Sequence, residues 1–173
     1  IPAVIALSFY PRLIELKKEG RHKFDPAVQG LLDLLYSLAL VVAVLVTAAA
    51  PVVINILYGP EYQAAAGVLM IHVWAGVFMF MREVFNKWVL IEDQLRFTVI
   101  SHGLGALSNV LLNLGLIPHM GVYGAALATL VPYALAGYFF LFLHPATSGL
   151  GWMMTRSLLL PVRMTAKALR KAG

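Results

Sequence analysis

Four long apolar blocks follow one another along the chain and are separated by short polar segments. They cover residues 31–58, 67–91, 97–117 and 122–143, and none shows the two-residue alternation of a barrel strand. Each block is long enough for a transmembrane helix, which takes roughly 17–25 residues. The pattern therefore predicts an all-α, polytopic membrane helical bundle with four full transmembrane helices.

The segments outside the blocks predict three further parts of the chain. Residues 1–10 are apolar but too short to span, and they predict the end of a preceding transmembrane helix in the C-terminal part of a longer protein. Residues 11–30 predict a basic connector, interrupted by glycine and proline. Residues 144–173 predict a basic amphipathic tail, for which a helix at the membrane interface is favoured over a solvated segment. Pro51 and Pro132 predict kinks in the first and last spans.

Composition and charge placement extend this prediction to topology. The chain is 61% hydrophobic and only 12% charged, whereas a soluble domain has about 25% charged residues. It has no cysteine, which excludes disulfides and thiol chemistry. Eleven of the 13 Lys and Arg residues lie in three segments at alternate ends of the blocks. These segments are the connector, the link that contains Arg96, and the tail. By the positive-inside rule these three segments, and the C-terminus, are predicted to be cytoplasmic.

The other two cations, Arg82 and Lys87, lie inside the second block, where a charge is costly and usually functional. Glu83 and Lys87 are four residues apart and are predicted to neutralise each other in part, which leaves Arg82 uncompensated. A guanidinium offers a planar fork to phosphate oxygens, so Arg82, Asn86 and Lys87 are the candidate phosphate-binding residues. The alternative is an ion pair from Arg82 to Glu83 or to another helix, with a packing role only.

Other polar residues in the spans are weaker candidates, and each has a packing alternative. Asn109, Asn113 and Ser101 can bond sugar hydroxyls, although such groups more often bond between helices. Asp33, Glu83 and His72 are candidates for ion or proton coupling. His102 is a further candidate proton relay, and the rings of Tyr133 and Tyr138 are candidates for stacking on sugars. No phosphate loop, metal-ligand spacing or catalytic triad occurs, so neither an enzyme nor a metal or other cofactor is predicted.

Two stretches, residues 50–62 and 109–129, resemble a known family. Their sequences are APVVINILYGPEY and NVLLNLGLIPHMGVYGAALAT. Both are similar to the C-terminal lobe of Wzx-type flippases of bacterial polysaccharide biosynthesis. These flippases are the translocases for O-antigen lipopolysaccharide and for exopolysaccharide. These belong to the multidrug/oligosaccharidyl-lipid/polysaccharide exporter superfamily. Members have twelve or more helices in two lobes around a central cavity, and this chain would supply the end of the eighth helix and helices nine to twelve.

The resemblance implies translocation of a polyprenyl-pyrophosphate-linked oligosaccharide across the bacterial inner membrane by alternating access. It implies as partners the N-terminal lobe of the same protein, the lipid-linked oligosaccharide, membrane lipids and the polysaccharide polymerase machinery, and no nucleic acid. Three alternatives remain open at this point. They are a related multidrug or cation antiporter, a lipid II flippase, and a non-transporting scaffold or enzyme of polysaccharide assembly.

Overall fold

The protein is a bundle of seven α-helices, in a computed structural model that describes the backbone of residues 1–172 and the side chains of residues 1–166. The α-helices are α1 (Pro2–Glu19), α2 (Arg21–Tyr58), α3 (Gln63–Ile91), α4 (Leu95–Met120), α5 (Val122–Gly137), α6 (Pro145–Leu158) and α7 (Leu160–Ala172). Two 3₁₀ helices, Pro60–Tyr62 and Phe139–Leu143, connect them, and no strand occurs within the described residues. Four segments are long and apolar enough to cross a membrane, which confirms the predicted all-α polytopic bundle.

Short connections make α2 and α3, and α4 and α5, antiparallel neighbours, whereas α3 contacts α5 more extensively than it contacts α4. α2 packs along α3, α3 packs on α5, and α4 and α5 form a hairpin, while α1 and α6 cover α2 from outside. The main core lies between α2 and α3 and includes the fully buried Leu32, Leu35 and Phe85. We call the end that holds the α1–α2 junction and the α3–α4 turn the basic end.

Ion pairs join the chain at the basic end. Lys17 and Arg21 both bind the carboxylate of Glu92 in the α3–α4 turn, Arg21 with a nitrogen–oxygen distance of 2.8 Å. The side chain of Glu92 is 11% exposed, so both of its oxygens are occupied and largely shielded. This carboxylate therefore ties the α1–α2 junction to the α3–α4 turn.

Residues 11–30, the predicted basic connector, are helical apart from Gly20. α1 continues to Glu19, the chain breaks only at Gly20 with a φ of 121°, and α2 then runs for 38 residues through Pro26. At a rise of 1.5 Å per residue α2 is about 57 Å long, well beyond the hydrocarbon thickness of about 30 Å. The helix persists through Pro26 because the fully buried Phe24 and Val28 fix its first turns against the core.

The fourth span and the tail also differ from their predicted form. α5 ends at Gly137, where a poor helix former precedes a run of aromatic residues, and a 3₁₀ helix completes the span to Leu143. The predicted interfacial tail is two helices, and α6 packs into the bundle with Leu150 and Met154 buried. α7 exposes Val162 and Met164, and the predicted tail's side chains beyond Ala166 lie outside the described residues.

The other boundaries shift by a few residues. α3 begins at Gln63 rather than 67, and α4 extends from Leu95 to Met120, through the Pro118 at which it was expected to stop. α2 ends at Gly59 as the Gly-Pro pair predicts. α2 and α5 continue through Pro51 and Pro132, so neither proline ends its helix.

A side chain repairs the hydrogen bond that Pro132 removes from α5. Pro132 has no N–H to offer the carbonyl of Ala128 one turn earlier. Asn109 of α4 donates its amide to that carbonyl at 2.6 Å, and Asn113 donates in turn to the Asn109 side chain at 3.0 Å. Asn109 is thus a bridge across the α4–α5 hairpin, as the packing alternative proposes for both asparagines.

Asn109→Ala is expected to lower the free energy of unfolding by about 1–2 kcal/mol, because it leaves the Ala128 carbonyl without a donor. In a Pro132→Ala background the helix supplies its own N–H, and the same substitution should cost much less. Unfolding of the two single variants and the double variant in detergent measures this coupling. Purely additive costs would show that Asn109 does not compensate for Pro132.

Candidate functional site

Two adjoining cavities lie along one face of α3. The larger, of about 640 Å³, we call the Arg82 chamber, and the smaller, of about 310 Å³, the His72 chamber. Both are bordered by Met79, Thr129 and Tyr133, so they adjoin, and we call the two together the groove. From His72 to Asn86 the groove follows α3 for about 21 Å, at 1.5 Å per residue, or most of a hydrocarbon core.

The Arg82 chamber lies between α3 and the α4–α5 hairpin. The two helices of the hairpin approach closely at Gly105, since a Cβ added there would lie 2.8 Å from the Cβ of Ala136. α4 makes few contacts with α3, and the chamber occupies the space between them. Its polar lining brings together residues from three helices, namely Arg82, Glu83, Asn86, His102, Asn109, Thr129 and Tyr133.

Arg82 is the buried cation of this chamber. The residue is 8% exposed, and its guanidinium carbon lies 5.7 Å from the centre of the Phe85 ring. Its Nη2 is buried and finds no hydrogen-bond partner in the described part of the chain, where Arg82 also makes no ion pair. A buried charged donor without an acceptor is costly, so this position favours an anion.

The predicted neutralisation of Glu83 by Lys87 does not form. Among the side chains that the structure describes, no nitrogen–oxygen distance of 4.0 Å or less joins the two residues. Glu83 borders the Arg82 chamber and Lys87 does not, so the two side chains diverge from one helix. Lys87 therefore lies outside the candidate site, whereas Arg82, Asn86 and Glu83 share it.

Four other predicted site residues lie away from Arg82 or make structural hydrogen bonds. The Ser101 hydroxyl donates to the carbonyl of Thr98 at 3.1 Å, Asn113 bonds Asn109, and neither residue borders the groove. Asp33 accepts hydrogen bonds from Gln29 and from Ser157 of α6, at 2.9 and 2.6 Å. Asp33 thus anchors α6 to α2 outside the groove. His72 borders the smaller chamber, apart from Arg82.

Two groove residues were weak candidates in the sequence, and one was missed. His102 and Tyr133 come from α4 and α5, and only the packing of three helices places them opposite Arg82. Thr129 carries no signal in the sequence, because a hydroxyl within a span commonly bonds its own helix, as Thr129 does to Ala125. No group of three His, Cys, Asp or Glu that could hold a metal occurs within the described residues.

The polar groove and the outer face of α4 require different surroundings. Leu107, Leu111 and Leu114 of α4 are more than half exposed and suit a hydrocarbon environment. Arg82, Glu83 and Asn86 do not, because charged groups in a bilayer face water or protein. If α4 crosses a membrane, the groove side of α3 therefore borders water or another protein surface.

Two adjacent residues of α4 allow the separation of the groove from lipid to be measured. Ala106 borders the Arg82 chamber, while Leu107 lies outside it and is 55% exposed. In a cysteine-free background of the full-length protein, Ala106→Cys is expected to react rapidly with a membrane-impermeant thiol reagent. Leu107→Cys, at nearly the same depth, should stay unreacted. Equal labelling of the two positions would contradict a groove separated from lipid.

Comparison with protein-family models, with curated proteins and with solved structures finds no match to this chain. The resemblance of residues 50–62 and 109–129 to Wzx-type flippases therefore remains a prediction from those residues. What the structure adds is a membrane-type helical bundle with a polar groove around a buried arginine that makes no ion pair with any side chain the structure describes.

Proposed function

We propose that this chain is part of a flippase that moves a polyprenyl-pyrophosphate-linked oligosaccharide across a membrane for surface polysaccharide synthesis. The observation that carries the proposal is Arg82, a buried guanidinium that borders a polar groove and makes no ion pair within 4.0 Å among the described side chains. The groove is large enough for a small polar group, since ligand sites commonly enclose about 300–1,000 Å³.

The chemistry of a pyrophosphate complements this site. Its oxygens accept charge-assisted hydrogen bonds from a guanidinium, and the attraction is strong where water is largely excluded. Asn86 is one helical turn from Arg82 and offers an amide donor to the same group. In this mechanism Arg82 holds the head group in the groove while the polyprenyl tail stays in lipid, and movement of the two lobes changes the side to which the groove opens.

Orientation and location form part of the same proposal. The basic end lies in the cytoplasm, because Lys and Arg residues are retained on that side of a bilayer. The C-terminus is then cytoplasmic, and the resemblance to Wzx-type proteins indicates the bacterial inner membrane. The N-terminal lobe of the same protein supplies the opposite wall of the groove, and polymerase machinery receives the translocated glycan.

Glu83 is the observation that favours a second candidate, an exporter of organic cations from the same superfamily. Its carboxylate borders the Arg82 chamber and forms no ion pair within the described side chains. A cationic drug beside Arg82 would meet a like charge, which opposes binding. A pyrophosphate would in turn meet the like charge of Glu83, but Glu83 is only half-buried whereas Arg82 is buried, so the anionic cargo accounts for the site better.

The test is translocation in cells whose surface polysaccharide depends on the full-length protein. Depletion is expected to leave lipid-linked precursor on the inner leaflet, where a membrane-impermeant glycan-modifying enzyme added outside cannot reach it, and wild type should restore exposure. Drug sensitivity with normal precursor exposure would favour the exporter. Loss of polymer with normal exposure would favour a scaffold or an assembly enzyme.

A further inference from the structure

The smaller chamber of the groove has a lining that differs from that of the Arg82 chamber. It is built mostly from small or apolar side chains, with three polar ones, and its residues are Ala39, Val42, His72, Val73, Ala75, Gly76, Met79, Phe80, Thr129 and Tyr133. Arg82, Glu83 and Asn86 do not border it. A mixed apolar and hydroxyl-bonding lining without a charge suits a neutral polar ring better than a phosphate.

Tyr133 stands where the two chambers join. Its ring borders both, and its hydroxyl forms no hydrogen bond with any side chain or backbone group in the part of the chain that the structure describes. Tyr138 is different, because its ring packs on Phe139 and Phe142 and its hydroxyl bonds Thr155 at 2.8 Å. Of the two candidate stacking tyrosines, only Tyr133 is free to meet a ligand.

Two polar groups accompany Tyr133 in this chamber. His72 is exposed and makes no hydrogen bond within the described residues, so its imidazole is available to a hydroxyl as donor or acceptor. Thr129 donates to Ala125 at 3.1 Å and keeps its lone pairs as acceptors. Apolar faces with hydroxyl partners at their edges match a pyranose, which has C–H faces and an equatorial belt of hydroxyls.

We infer that the His72 chamber is a sugar subsite, in which Tyr133 is the platform for the ring attached to the pyrophosphate at Arg82. This inference rests on the proposed function and extends it from the phosphate to the glycan. The chamber volume of about 310 Å³ is at the lower limit of ligand sites, which favours one ring rather than an extended chain.

Gly76 allows the chamber to be filled without disturbing the bundle. It borders the chamber, and a Cβ built there meets no atom within 4 Å. Gly76→Met therefore places a side chain in the cavity and improves helix propensity rather than straining the fold. Gly115→Met is the matched control, since Gly115 is also helical, also has no atom within 4 Å of its Cβ, and borders neither chamber.

The experiment compares two probes bound to the full-length protein in lipid nanodiscs: polyprenyl pyrophosphate, and the same lipid carrying the oligosaccharide. Gly76→Met and Tyr133→Leu are each expected to weaken binding of the glycosylated probe about tenfold and to leave the sugar-free probe unchanged. Tyr133→Phe keeps the ring and should stay close to wild type. Gly115→Met should affect neither probe.

The outcomes separate the subsite from the proposed function. Unchanged binding of the glycosylated probe to Gly76→Met and Tyr133→Leu would overturn the sugar subsite. An equal loss for both probes would overturn it as well, because the chamber would then hold the pyrophosphate or the tail. Failure of Arg82→Gln to weaken either probe would instead overturn the proposed function.

Discussion

Arg82→Gln in the full-length protein is expected to abolish surface polysaccharide and to leave lipid-linked precursor on the inner leaflet. Truncating one partner of a buried charge pair costs about 2–5 kcal/mol, so binding of the anionic head group should weaken by at least about thirtyfold. Folding should not suffer, because the substitution removes a buried charge that has no ion-pair partner among the described side chains. Translocation and protein abundance in the membrane are measured together.

Arg156→Gln is the matched control for this prediction. Arg156 is an exposed cation in the last turn of α6 and borders neither chamber, so the substitution removes the same charge without entering the groove. It should leave translocation near wild type. Full activity of Arg82→Gln at normal abundance would remove Arg82 from the site, and equal losses from both variants would assign the effect to overall charge.

Gly124→Ala is expected to open the α4–α5 hairpin. A Cβ at Gly124 would lie 2.5 Å from the carbonyl oxygen of Leu116 and 3.0 Å from the nitrogen of Ile117. Both are backbone atoms, so the helices themselves must separate, at a cost of about 1–3 kcal/mol or more. The free energy of unfolding in detergent and the abundance in membranes measure this loss.

Gly115→Ala tests the same change where there is room for it. A Cβ at Gly115 meets no atom within 4 Å, so stability should be unchanged or slightly higher, because alanine favours the helix. If both alanine variants behaved alike, close contact at Gly124 would not determine the packing of α4 on α5. The position of the α4–α5 wall of the Arg82 chamber would then not depend on the Gly124 contact.

The four candidate spans were predictable because their evidence is local. An apolar run of suitable length needs no knowledge of its neighbours, and Gly59-Pro60 ends α2 through its own backbone limits. The positions of Arg82, Glu83 and Asn86 on one face of α3 also follow from helical spacing alone. These residues border the groove together, as that spacing requires.

The remaining features depend on contacts between distant residues. Asp33 meets Ser157 across 124 positions, and nothing near either residue indicates that α6 returns to pack on α2. The basic character of residues 144–173 suggested the interface instead, although Leu150 and Met154 form a buried stripe. The helical form of the connector depends on distant contacts in the same way, since burial of Phe24 and Val28 outweighs the helix-breaking tendency of Pro26.

In the candidate site as well, some features follow from residues close in sequence and others depend on contacts between distant residues. The α3 face was predictable, but the opposite wall depends on how far α4 and α5 approach each other at Gly105 and Gly124. That approach decides that Asn109 bridges the hairpin and that Tyr133 borders both chambers. The expected Glu83–Lys87 ion pair does not form because helical spacing fixes the positions of the two Cβ atoms but not the directions in which the side chains extend.

The most direct test of the head-group site is photocrosslinking of the lipid-linked oligosaccharide in membranes of cells that make it. A photoreactive amino acid replaces Asn86, one turn from Arg82 in the groove, or Leu107, on the outer face of α4. A glycan-containing adduct is expected from position 86, is expected to disappear in the Arg82→Gln background, and is not expected from position 107. A glycan adduct from position 107 alone, or from neither position, would contradict a head-group site at Arg82.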